Sequence, residues 1–533
     1  MNIFKTTLIV AAALMCTQSA VAIIDNPMTQ AVIRAYDQQL RINPKDHLTW
    51  FRRANEYYRH GEYLRALDDV NNALVYAPTD NSDGTRFQAY MLRAGIYNHI
   101  GQPEQALADL NSAVALDGQS MQAIYQRANT ALELGDYENA RQDYLKIQRM
   151  NTRSAEALIG LARVAVAQGD YNTATDLLSQ SVSFAPNDPE SYLQRAAVRK
   201  TMGDHNGAIE DILVAMSLNS NNRKAINALF DYGNTNYKAT IDGLTAAIER
   251  VPGNGMYRYL RATIAQAHYN YLAAIEDFQT IIDHRLYNYH GLNASIARCQ
   301  LGLSRYDEAM AQIDQAISAS GGTVAEYYVV RSRIMRAQGR HDEAIAAASH
   351  AMILDREYVP GLIEMALNWV DKKDYEQAVA VLGEASMVDA NNPEVYILRA
   401  WIHESFLNQP SAARSFYQQA LDVEGFADTD VSSLRGFALM ALGRTDEGDE
   451  WMNNILTTVP DNDGRNNYLG ACYWIQRGED DRALQCVERS LQAGYSDNHN
   501  WMDNTDGPVN AGALRDDLRF LRLMQSYNYI FGK

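Results

Sequence analysis

Residues 123–147 read AIYQRANTALELGDYENARQDYLKI. Apolar and small residues recur at helical spacing as far as Leu134, where Gly135-Asp136 interrupts them, and a second run of the same kind follows. Glycine supplies the left-handed residue that ends a helix, and aspartate accepts the free N–H groups that open the next one. The stretch is a helical hairpin. Within it Arg127 stands immediately before Ala128, and Arg-Ala pairs return at Arg53-Ala54, Arg93-Ala94, Arg195-Ala196, Arg261-Ala262 and Arg399-Ala400.

Residues 48–78, LTWFRRANEYYRHGEYLRALDDVNNALVYAP, carry the same features in the same order: Arg-Ala, a Gly-acid-Tyr turn, and an alanine twelve residues after the first. After a longer linker from Thr79 to Thr85 the frame starts at Phe87, Met121, Ala155 and Pro189, each 34 residues after the last. It returns at Ala325, Val359 and Pro393. A small residue at the eighth position (Ala54, Ala94, Ala128, Ala162) answers another at the twentieth (Ala66, Ala106, Ala140, Ala174), which lets the two helices of each hairpin approach closely. Gly61, Gly101, Gly135, Gly169, Gly203 and Gly339 mark the turns, and Pro78, Pro186, Pro252 and Pro460 stop second helices.

With Trp50, Tyr57, Ala66, Ala73 and Pro78 in one frame, the chain resembles the tetratricopeptide repeat family. About twelve repeats cover most of residues 47–497. The resemblance implies an all-α, right-handed superhelical solenoid of stacked antiparallel helix pairs. The expected organisation is a signal peptide (1–22), an N-terminal capping helix (23–46), a first block of repeats (47–222), a degenerate repeat or bend (223–254), a second block (255–497) and a C-terminal cap (498–533). Residues 223–254 keep Ala228, Ala247 and Pro252 but carry DYGNTNYK where the turn glycine belongs, and a short insertion near Asn408–Ala413 shifts the frame. In the cap, Leu514, Leu518 and Leu521 form the core-facing stripe.

The recurring arginine lies on the first helix, and sixteen residues later, on the second, stand Asp69, Asp109, Asp143, Asp211 and Asp277 as partners of Arg53, Arg93, Arg127, Arg195 and Arg261. In the repeat that starts at Ala155 both positions are apolar together, as Leu161 and Leu177. An intact buried ion pair and a well-packed apolar pair are often similar in stability, whereas half a pair is expensive. Joint loss is what a structural tie predicts. Arg331, Arg399 and Arg435 occupy the same position, but face Ala347, Ser415 (or Phe416, given the insertion) and Trp451, so they reach solvent or pair elsewhere.

In proteins of the family that the chain resembles, first helices line a concave groove that holds an extended peptide or a partner helix. Carried over position by position, that groove includes Phe51, Tyr58, Tyr125, Tyr259, Arg298, Arg333, Arg336 and Trp401. Exposed aromatics and arginines are the residue types that carry interface energy. Arg298, Arg333 and Arg336 form a cationic spot in an acidic chain, either able to hold a carboxylate or satisfied by neighbours such as Glu326. The family's carboxylate clamp is not met, because Phe51 stands in place of its lysine and Leu92 in place of an asparagine, although Asn55 fits.

No catalytic or cofactor signature accompanies the repeats, so the expectation is no enzyme, no cofactor and no metal. Three loops, DNSDG, PDNDG and DNTDG, place Thr79, Val459 and Met502 where a calcium loop needs its first acid. A net charge of −18 argues against nucleic acid or an anionic membrane as partner and tolerates a basic one. At the N-terminus, Lys5, an apolar run from Leu8 to Leu14 and the small-residue exit Ala20-Val21-Ala22 read as a cleaved signal peptide with a mature start near Ile23, and no later segment is long enough to span a bilayer. Cys16 follows Met15, a poor lipobox, and offers a minority reading as a lipid anchor. Cys472 and Cys486 either cross-link one hairpin or, with Cys299, pack as small apolar residues. Together these features predict an exported bacterial scaffold that docks a protein or peptide partner in its groove; the alternative is an outer-membrane lipoprotein that captures glycan or peptide ligands.

Overall fold

The computed structural model describes residues 27–219, 222–287, 289, 291–423, 434–458, 461, 464–495, 497–502, 509 and 511–527. The expected signal peptide and Cys16 lie outside the described residues. Among those described there are 29 α-helices and no strand. The chain divides into two compact units, residues 1–226 and 227–533. Most of the 223–254 repeat therefore belongs to the second unit.

The hairpin of residues 121–150 shows why the sequence folds as it does. Its helices are Met121–Glu133 and Tyr137–Met150. Ser120 caps the first, its hydroxyl accepting from Ala123 N–H at 3.3 Å. Gly135 takes φ +78°, and the next N–H, of Asp136, donates to the Ala131 carbonyl at 2.8 Å, closing the helix end. Asp136 then accepts from Asn139 N–H at 3.3 Å and opens the second helix. Ala128 and Ala140 are fully buried where the helices cross, and Tyr144 packs onto Gly160 of the following repeat so tightly that a Cβ there would sit 2.2 Å from the ring. Small residues set the spacing within a hairpin and, at Gly160, between hairpins.

Several turns lack glycine and keep the same geometry. Tyr269, Ser304 and Lys373 adopt φ of +58°, +57° and +63° at the turn position, a conformation that costs a residue with a side chain roughly 1–2 kcal/mol. Lys373 is exposed. Lys373→Gly is expected to stabilise the second unit by up to about 1 kcal/mol, the gain in the folded turn exceeding the entropy that glycine adds to the unfolded chain; denaturant titration should show a higher midpoint. The repeat at 223–254 solves the problem differently. Its helices Arg223–Thr235 and Tyr237–Arg250 are separated by Asn236 alone, at φ −140°, so no left-handed residue is needed. The insertion near 408 amounts to one extra turn residue between Pro393–Ser405 and Pro410–Asp422, with Asn408 left-handed at φ +51°.

The five arginines each reach their aspartate through two parallel N–H···O bonds. Arg127 donates to Asp143 from Nε and Nη2, both at 2.7 Å, and the other four pairs span 2.6–2.9 Å. All five aspartates are nearly fully buried. A third contact was not legible in the repeat frame. The remaining Nη1 of each arginine turns to the helix that precedes its hairpin: Arg53 to Asp37 of the lone helix Pro27–Ile42, and Arg93 to Asn71, Arg127 to Asn111, Arg195 to Ser179 and Arg261 to Thr245 on second helices. The arginine is thus a three-way clamp that fixes its own hairpin and the stacking onto its neighbour. In the repeat with leucines, Leu161 is buried with both Leu145 and Leu177 packed against the same cluster, so all three members of the clamp are apolar there.

The arginines without an aspartate are also accounted for. Arg331 pairs with Asp314 of the preceding helix at 3.2 Å. Arg399 lies 4.0 Å above the ring of Phe416, and Arg435 lies 5.3 Å from that of Trp451. An aromatic face occupies the aspartate's place and holds the guanidinium by cation–π attraction.

Beyond the last hairpin the chain keeps two of the three expected core-facing leucines. The helix Leu518–Ser526 packs on Asp480–Gln492, with Phe520 and Met524 fully buried and Leu521 partly buried against the same cluster. Leu514 is buried in a preceding 3₁₀ turn, while Leu518 is 68% exposed. Leu518 is the first residue of the helix, which Asp517 caps by accepting from Arg519 N–H, and it stays outside the core.

Candidate functional site

In the second unit the first helices Gly291–Gly302, Ala325–Ala337, Val359–Asp371, Pro393–Ser405 and Arg465–Gln476 share the wall of one cavity of about 840 Å³. Its other wall is formed by Tyr495, Asp497, His499 and Asn500, which follow the last hairpin. They are tied down by buried polar contacts. Tyr271 donates to Asp497 at 2.9 Å, and the Tyr306 hydroxyl meets a ring nitrogen of His499 at 3.2 Å. Asp497 also accepts from Asn500 N–H at 2.9 Å and so opens the short helix Asn498–Met502. Tyrosines complete the wall: Tyr468 stacks on Tyr495 at 5.0 Å, and Tyr269 lies 4.7 Å from Tyr495. Burial pushes the phenols of Tyr271, Tyr468 and Tyr495 well above their ordinary range, so all three stay protonated donors.

Three of the eight predicted groove residues come together here: Arg298, Arg333 and Arg336. They do not form a free cationic spot. Arg298 is held by Glu326, with its second amine on Ser295 Oγ at 3.1 Å. Glu364, fully buried, accepts from Arg336 Nε at 2.8 Å and Arg333 Nε at 3.1 Å, and Arg336 lies 3.6 Å from Asp371. The acids come from the first helix of the following repeat, so each cation is neutralised by its successor. Asn368 completes the layer, donating to the Glu364 carbonyl at 2.8 Å and to Ser332 Oγ at 3.0 Å.

The other five lie apart from the cavity. In the first unit Phe51 packs against the cluster around Ala54 and Val70, Tyr58 sits 5.5 Å from His99, and Tyr125 meets Tyr144 edge-on at 6.0 Å. In the second, Tyr259 is wedged between Tyr287 and Tyr289, and Trp401 stands edge-on to Phe406 at 5.1 Å. All five are half-buried, committed by one edge to the core. Sequence reasoning missed Glu394, Ile363, Leu367 and Ile397, which line the cavity and occupy the second, fifth and ninth frame positions already used to choose the arginines. Nothing in the frame pointed to Tyr495 or Asp497.

Among the described residues no group of three or more acids, histidines and cysteines has metal-binding geometry, and no helix is long and apolar enough to cross a membrane. Cys299, Cys472 and Cys486 are separate buried thiols. Burial pushes Cys299 and Cys472 up to about 12 and Cys486 to about 11. At pH 8 the thiolate fraction is minute, so native protein should resist iodoacetamide for hours and all three should label promptly in denaturant; mass spectrometry reads the difference.

Stacked helix hairpins with a small-residue crossing and a glycine turn define a helical-repeat protein. Family models described as tetratricopeptide repeat match residues 33–120, 125–189 and 335–402, and the chain is a tetratricopeptide repeat protein. It is 29% identical over 177 residues to a DnaJ homolog subfamily C member 7 homolog of Dictyostelium discoideum, across 31% of this chain and 32% of the relative, about a third of that protein's length. Among solved structures it is similar to yeast Tom70, at 14% identity over 78% of this chain and 98% of the other with a TM-score of 0.36. A tetratricopeptide repeat protein from Parabacteroides merdae is similar at 20% identity over 54% and 98%, with a TM-score of 0.33.

Proposed function

We propose that the chain is an exported, non-enzymatic scaffold of the bacterial cell envelope whose first-helix face docks a segment of a protein partner. The fold suggests a protein-interaction scaffold. The observation that carries the finer reading is the recurrence of half-buried aromatics on first helices, Tyr58 and Tyr125 in one unit and Tyr259 and Trp401 in the other. Each ring is held against neighbouring aromatic rings and stays partly exposed, so little side-chain entropy is lost when a partner covers it. The net charge of −18 favours a basic or neutral segment. Export rests on the leader pattern of residues 1–22.

A photo-crosslinking amino acid at Tyr58 or Tyr125 should trap a discrete partner in cells, whereas one at the exposed second-helix residues Leu64 or Met387 should not. Equal trapping from both faces would overturn the docking face. Mass spectrometry of the mature N-terminus tests export separately: a start near Ile23 supports the soluble scaffold, and a diacylated Cys16 would replace it with a lipoprotein.

A further inference from the structure

The cavity of the second unit is a partly open site, bounded by the repeat face on one side and by Tyr495, Asp497, His499 and Asn500 on the other. At about 840 Å³ it falls within the range of small-ligand pockets, and its tyrosine and aliphatic walls are interleaved with many charged side chains. Most of its charge is spoken for. Arg298 is bound to Glu326, and Arg336 to Glu364 and Asp371. Two groups are left over. Glu394 lines the cavity yet makes no hydrogen bond or ion pair with any described residue, and burial raises its carboxyl above the ordinary range against the pull of Arg333 and Arg465. Arg333 commits only Nε, to Glu364, and its two Nη groups make no hydrogen bond among the described residues.

A free anion and two free donor groups of a cation thus face one cavity, close enough to influence each other. A lone cation at Glu394 would be repelled by Arg333 and Arg465, and a lone anion at Arg333 by Glu364 and Glu394. A ligand with both charges satisfies both groups and keeps the cavity neutral. Glu394 is also in the first turn of Pro393–Ser405, where the helix dipole favours its ionised form.

A turn residue also shapes this wall. Tyr269 holds φ +58°, and a bulky side chain there is unfavourable. Its ring forms the cavity wall between Tyr495 and Arg465, whose guanidinium lies 5.9 Å from the ring centre. Glycine fills this turn position in many other repeats, and Ser304 and Lys373 share its left-handed geometry away from the cavity; here the residue contributes an aromatic wall.

We infer that this cavity binds a small zwitterion of the amino-acid or short-peptide class, its ammonium set against Glu394 and its carboxylate against the Nη edge of Arg333. The tyrosines of the wall cover its apolar part. This site is separate from the docking of a protein segment, which is read at Tyr58, Tyr125, Tyr259 and Trp401, none of which lines the cavity, so either assignment can fail without the other.

The test is calorimetric titration of the full mature chain with alanine, dialanine and trialanine, and with dialanine N-acetylated or C-amidated. Binding is expected for at least one unmodified zwitterion, and the length preferred separates amino acid from peptide. Each cap should weaken dialanine by tenfold or more. In Glu394→Gln, acetylation should cost nothing further, and in Arg333→Met amidation should cost nothing further, a crossed pattern that a merely structural role does not produce. Glu394→Asp, which keeps the charge, should retain the penalty for acetylation, and serves if the glutamine variant fails to fold. No binding of any zwitterion, equal binding of capped and free forms, or an unchanged acetylation penalty in Glu394→Gln would overturn the assignment.

Discussion

Replacing Arg127 by leucine is expected to lower stability by about 3–5 kcal/mol, because Asp143 is then left buried without its partner. Only a small part of the guanidinium is exposed, so solvent screening recovers little of that cost. Adding Asp143→Leu and Asn111→Leu should restore most of the loss, since the next repeat already packs Leu145, Leu161 and Leu177 at the corresponding places. Arrays of repeats do not unfold as one two-state unit, so the measurement is hydrogen exchange in Met121–Glu133 and Tyr137–Met150. Protection should fall in the single variant and return in the triple. A triple variant no better protected than the single would show that the clamp is not a self-contained unit.

Glu364→Leu should be comparably costly, about 3 kcal/mol, for a related reason. It removes the acceptor of two guanidinium Nε–H groups and leaves Arg336, the more buried of the two, with Asp371 at 3.6 Å. The arginine clamp acts chiefly within one hairpin, but Glu364 joins the first helices of two repeats. Exchange should therefore accelerate in both Ala325–Ala337 and Val359–Asp371 while the first unit is unchanged. Combining it with Arg336→Met should recover part of the loss.

The fold was legible because every local signal repeats. One glycine turn is a weak indication, but six in phase, with alanines at both crossing positions, leave a single regular answer. The arginine–aspartate ties were legible for the same reason, their spacing being constant. Their third contact was obscured at Arg93, where the linker from Thr79 moves the acceptor to Asn71. The left-handed Tyr269, Ser304 and Lys373 were missed because tertiary packing imposes the turn on residues that do not favour it. At the cavity, the frame gave the arginines but not their neutralisation, since Glu326 and Glu364 approach from the following repeat and only the stacking distance brings them into range. Glu394 occupies a groove position, but a lone acid on a helix carries no interface signal, acids being depleted at interfaces.

The hydrogen bond between Tyr271 and Asp497 joins residues 226 apart in a chain whose other packing is almost entirely between neighbours. Local contacts form fast, whereas closing so long a loop must wait for both ends and repays its entropy late. During synthesis the hairpins of the second unit can assemble one after another as they emerge, but this bond cannot form until residue 497 has been made. The unit therefore passes through a stage in which its helices are stacked and its cavity still lacks one wall, and completion of that cavity is a late event in its folding.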